Sequence, residues 1–138
     1  MYRPINNRPG FFMKYISVLF FVFIIAIIIL ADNGSLPHSI RAIYDFPNGD
    51  KLGHFVLFGL LDFFVTRAFF SMYPSKPRGW AAFSIGLALA VFIGIEEWSQ
   101  RFFSNRTSDV ADLLASYTGL VIFGFMAVIW KKPREFDK

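Results

Sequence analysis

Apolar and polar positions alternate along this chain on the scale of a membrane, not of a core. Four apolar stretches, at about 11–31, 52–72, 80–103 and 109–130, are each close to 20 residues long. A hydrocarbon core of about 30 Å takes roughly 20 helical residues at 1.5 Å rise. The first stretch, which contains "SVLFFVFIIAIIILA", is apolar all round. The third is polar at its C-terminal end and the fourth at its N-terminal end. Between them lie the breakers "NGSLP", "FPNGD", "YPSKPRG" and "SNRTSD". The pattern predicts an all-α, polytopic membrane protein: one domain over residues 1–138, folded as a bundle of four transmembrane helices. No internal repeat or low-complexity linker interrupts it.

Composition supports this class. Of 138 residues, 55% are hydrophobic and 19 are Phe, more than the core of one soluble domain of this size can hide. With no Cys, the chain has neither a disulfide framework nor a thiolate metal site. His38 and His54 are its two histidines and form no zinc-type cluster, so no metal or cofactor is expected. The net charge of +4 sits at apolar boundaries, which suits an anionic membrane surface and not nucleic acid. Arg3, Arg8 and Lys14 resemble the basic start of a secretory signal. The apolar run is long, however, and "IILADNG" places Ile29 where cleavage prefers a small residue, so a retained anchor is expected.

Lysine and arginine counts set the expected orientation. The tail before the first span, the loop between spans two and three and the final tail hold nine: Arg3, Arg8, Lys14, Lys76, Arg78, Lys131, Lys132, Arg134 and Lys138. The opposite side holds four: Arg41, Lys51, Arg101 and Arg106. Both termini are therefore expected in the cytoplasm. Tyr15, Tyr73, Trp80 and Trp130 then lie at the inner interface and Trp98 at the outer one.

That topology gathers polar residues at the outer ends of three spans. In "GDKLGHF", Asp50 and Lys51 share a helical face with His54. In "GIEEWSQ", Glu96 and Glu97 lie four and three residues before Gln100. In "RTSDVADLLAS", Asp109, Asp112 and Ser116 form an i, i+3, i+7 stripe, with Arg106 in the loop before it. Each group has a plain structural reading. Asp50 and Ser108 or Asp109 make good N-caps, acids favour helix N-termini, and the glutamates mark an exit from the membrane. Helix spacing nonetheless aligns acid, base, amide and imidazole in one layer. His54 and Lys51 are expected to approach Glu97, Gln100 and Asp112, with Arg106 folding back over them. Asp62 lies about ten residues into the second span, where a carboxylate costs roughly 2.5–3.5 kcal/mol. It is either neutral or paired with Arg67 inside the bundle, or part of a polar path.

The motifs also carry a resemblance. "DKLGHF", then "EEWSQ", then "RTSDVADLLAS.TG" resembles the VanZ-like family of small bacterial membrane proteins. That family's pattern is D-K-x-x-H-F, then E-x-x-Q, then R-x-x-D-x-x-D-x-x-x-N-x-x-G. Here it falls on Asp50, Lys51, His54, Phe55, Glu97, Gln100, Arg106, Asp109, Asp112, Ser116 and Gly119, within about residues 50–124. Two positions depart from it: Ser116 stands for the family's Asn, and Phe58 for its common Tyr. The family is associated with low-level resistance to teicoplanin, a lipoglycopeptide antibiotic. The resemblance implies a non-catalytic envelope factor. Its partner would be a membrane lipid, a lipid-linked envelope precursor, a lipoglycopeptide or another membrane protein.

The alternative is a membrane enzyme acting on a lipid phosphate or diphosphate. His54 would be its general base, and Lys51 and Arg106 its phosphate holders. Neither a nucleophile motif nor metal-ligand spacing supports it. A transport role through Asp62 is a third possibility, against which four spans without a repeat argue.

Overall fold

The computed structural model describes residues 9–130, with side chains from Phe12 onwards. The charges counted at Arg3, Arg8, Lys131, Lys132, Arg134 and Lys138 lie outside the described residues. Five helices follow in order: α1 (Pro9–Asp32), α2 (His38–Tyr44), α3 (Gly49–Met72), α4 (Arg78–Ser99) and α5 (Val110–Ile129). A single tight turn, Gln100–Phe102, extends α4. Helices α1, α3, α4 and α5 are long and apolar enough to cross a membrane, so the chain is a multi-pass membrane protein.

Local chemistry explains where the helices begin. Asn48 adopts a left-handed conformation (φ 63°), which turns the chain sharply into α3 just before the apolar run starts. Gly49 follows because a side chain there would strike the Tyr44 carbonyl. Asn48, not Asp50, is therefore the residue at the N-cap; Asp50 sits in the first turn and accepts from the Lys51 amide at 2.9 Å. At α5 the expected cap is present: the Asp109 carboxylate accepts from the Ala111 N–H at 2.8 Å. Helix α2 was not predicted. It has seven residues and buries none of them, so it carries no apolar face for a pattern to reveal.

Helix α3 is the centre of the bundle, packed on α1, α4 and α5. It runs parallel to α5, since contacts between the two advance together from Lys51–Asp109 through His54–Ser116 to Arg67–Trp130. Small residues allow the close approach. A Cβ on Gly119 would collide with the Phe55 carbonyl, one on Gly59 with the Phe123 ring, and one on Gly124 with the Asp62 carboxylate. Antiparallel helices complete the bundle. The Ser17 hydroxyl lies 2.8 Å from the Phe64 carbonyl, joining α1 to α3. The Tyr117 hydroxyl donates to the Ala90 carbonyl at 3.1 Å, joining α5 to α4.

Ile24, Phe58, Leu61, Ile93 and Leu120 form the core. Large apolar side chains such as Leu19, Phe83, Leu87, Val121 and Phe125 face outward and are more than half exposed, which is what a protein with lipid as its solvent requires. Tyr15, Tyr73, Trp80 and Trp130 are exposed at one end of the bundle and Trp98 at the other.

The interior acid sits differently from the pairing considered above. Asp62 is 1% exposed and accepts from the Thr66 hydroxyl, one turn along, at 3.0 Å. Arg67 does not pair with it. Its guanidinium reaches the carbonyls of Ala127 at 3.3 Å and Trp130 at 2.9 Å, at the end of α5. A cation there meets carbonyls that no helix turn satisfies and the negative end of the helix dipole.

Candidate functional site

The start of α3, the end of α4 and the start of α5 meet at one end of the bundle and bring the sequence-selected polar residues together in two linked groups. The first is organised by Lys51. Its ammonium lies 3.1 Å from Asp109, 3.3 Å from Asp112 and 3.4 Å from Asp50. An ammonium has three donors, and all three face carboxylates. Asp112 is shared with His54, whose Nε2 lies 3.9 Å from it. The other ring nitrogen, Nδ1, is 3.2 Å from the Ser116 hydroxyl. The Ala111 amide, with Lys51 beside it, holds the Asp109 carboxyl below the ordinary carboxylate range. Its depressed pKa means that this contact stabilises the fold above the unfolded-state value and is lost as pH falls through the folded one.

The second group gathers on α4. The Gln100 amide donates to Glu96 at 3.1 Å and to Glu97 at 3.1 Å. Arg106 folds back from the loop, as anticipated, but onto other partners. Nη2 lies 3.3 Å from Glu96, and Nη1 lies 3.6 Å from Asp32 at the end of α1. Neither Glu97 nor Asp112 is its partner. Glu97 instead joins the two groups, accepting the Asp109 N–H at 2.6 Å. Glu97, Gln100, Asp112 and Ser116 are all buried, and so is Glu96. Asp32 and Glu96 are thus parts of the network that the motif reading left out. The signal for Glu96 was its i, i+4 spacing to Gln100; for Asp32 it was only a charge at the end of an apolar run.

The arrangement limits the chemistry. Ser116, His54 and Asp112 have the order of a nucleophile, base and orienting acid, but Ser116 is 0% exposed and its hydroxyl lies 3.0 Å from the Asp112 carbonyl one turn back. The Ser116 side chain is thus closed to solvent. Among the described residues no group of three or more His, Asp or Glu has a geometry that could hold a metal ion.

Beside the network lies a cavity of about 730 Å³. One wall is apolar, formed by Ile24, Ile27 and Ile28 of α1 with Leu57 and Phe58 of α3; the other carries His54, Glu96, Arg106 and Asp112. Arg41 and Tyr44 of α2 line it too, with Asp45. Fold and site together define a multi-pass α-helical membrane protein with a buried ionic network and an amphipathic cavity at one end. No family model, curated protein or solved structure matches the chain.

Proposed function

We propose that this chain is a VanZ-like protein of the bacterial cytoplasmic membrane, with both termini in the cytoplasm, that binds the headgroup of an envelope lipid without transforming it. The observation that carries this reading is the cavity with two unlike walls. Apolar helix surface faces a polar network across a space of about 730 Å³. That is the size range of small-molecule sites and suits a headgroup with its first methylenes. A lipoglycopeptide or a complete lipid-linked envelope precursor is larger, so either would engage the site through its lipid-proximal part alone. The convergence of Asp50, Lys51, His54, Asp109 and Asp112 supports the family reading. The burial of Ser116 favours binding over catalysis.

Gly53 offers the test. It lines the cavity, and a Cβ placed on it meets nothing within 4 Å. A Gly53→Phe side chain therefore enters open space, and loss of a helical Gly favours the fold by up to about 1 kcal/mol. Lipid extracted from the purified variant and identified by mass spectrometry should be depleted in a species that wild type retains, with thermal unfolding in detergent unchanged. Identical lipid content in both proteins sinks the reading.

The orientation has its own check, made simple by the absence of Cys. Ser35 and Lys76 are both exposed, on opposite sides of the bundle. In intact cells an impermeant thiol reagent should label Ser35→Cys and spare Lys76→Cys. The reverse pattern overturns the proposed topology.

A further inference from the structure

The charges that line the cavity are not all engaged. Asp50 and Asp112 are paired with Lys51, and Glu96 with Arg106. The side chains of Arg41 and Asp45, which also line the cavity, have no ionic or hydrogen-bonding partner among the described residues, including each other. Both side chains are exposed. What the site has left for a ligand is therefore one cation and one anion, four residues apart on α2 and its C-cap, in the same lining as the apolar side chains of α1.

The sign of the whole lining narrows the ligand further. Arg41 and Arg106 face Asp45, Asp50, Glu96 and Asp112 across the same space. A headgroup with negative charge alone gains Arg41 but leaves Asp45 without a cation. A headgroup with positive charge alone leaves Arg41 unmet. A zwitterion meets both.

We propose that the occupant is a phospholipid whose headgroup carries a primary ammonium next to its phosphate, the phosphate on Arg41 and the ammonium on Asp45. This rests on the lipid-binding reading above and names the class of lipid. The guanidinium fork suits a phosphate. A primary ammonium has N–H donors for a carboxylate, whereas a quaternary ammonium has none and is recognised by an aromatic cage. The aromatic residues lining the cavity are Tyr44 and Phe58, and Phe58 is 4% exposed, so no such cage is built. The chain stem then runs down the Ile24, Ile27 and Ile28 side.

The experiment is a competition read by native mass spectrometry. Wild-type protein in detergent is offered equal amounts of dioleoyl phosphatidylethanolamine, phosphatidylcholine and phosphatidylglycerol. Retention of the ethanolamine lipid is expected to exceed that of either competitor by about tenfold, the scale of one charge-assisted hydrogen bond. Asp45→Asn should abolish that preference while phospholipid is still retained. Arg41→Gln should lower retention of all three. Both positions are exposed, so both variants are expected to fold. Equal or better retention of phosphatidylglycerol by wild type overturns the proposal, as does a preference that survives Asp45→Asn; lipid binding itself stands in either case. No retained lipid of any kind overturns the lipid-binding reading, and the proposal with it.

Discussion

Arg106→Ala is expected to remove most of the fold's stability. The guanidinium separates two carboxylates with little access to water: the Glu96 side chain is 7% exposed and that of Asp32 is 14% exposed. Asp32 Oδ1 is buried and makes no hydrogen bond, so Arg106 is its charge partner among the described residues. Removing one member of a buried ion set typically costs about 3–5 kcal/mol, because the remaining charges stay buried. Arg106→Lys should do nearly as badly. A lysine lacks the separate Nη1 and Nη2 that here reach Asp32 and Glu96 in different directions, and its single nitrogen cannot take both places. The informative control is Arg106→Ala with Glu96→Gln, which removes one of the stranded charges and should recover part of the loss. Thermal unfolding in a single detergent measures all three. An Arg106→Ala protein that melts with wild type shows that the network does not hold the helix ends together.

Gly119→Leu should be worse. Overpacking a core usually costs about 1–3 kcal/mol, since side-chain tips can yield. Here the obstacle is the Phe55 carbonyl, with the Gly59 nitrogen 3.3 Å from the added Cβ, and helix backbone cannot step aside. The two parallel helices must separate along the seam. Separation also breaks the contacts at its polar end, from His54 to Ser116 and from Lys51 to Asp112. The expected result is an aggregated or absent peak on size-exclusion chromatography, with Gly119→Ala already impaired. A monodisperse Gly119→Leu protein with wild-type melting refutes the close approach of α3 and α5.

Length and polarity were enough to foresee the four long helices, because a segment in lipid must satisfy its backbone internally and stay apolar throughout. The meeting of Lys51 with Asp112 was also legible; its contact with Asp109 was not anticipated, although i, i+3 spacing puts both acids on one face. Partner choice on α4 was not. Adjacent residues on a helix point about 100° apart, so whether Glu96 or Glu97 meets Arg106 depends on how α4 is rotated, which tertiary packing decides. Arg67 illustrates the same limit. Five residues from Asp62, it turns to another face and meets carbonyls of α5 that carry no side-chain signal. The part of α2 in the cavity lining was hidden because a seven-residue helix without buried side chains leaves no pattern.

The parallel pairing of α3 with α5 also has a consequence in time. Arg67 donates to carbonyls 60 and 63 residues further along the chain, and Lys51 pairs with carboxylates 58 and 61 residues on. At synthesis rates of roughly 5–20 residues per second, each of these cations waits about 3–12 s before its partner exists. During that interval α3 is a finished transmembrane segment with its charges unmatched. Its residence in the bilayer must then be secured by its apolar length and by α1, which is made before it and packs against it. Helix α5, made after α3, is thus the one that completes the charge balance of α3.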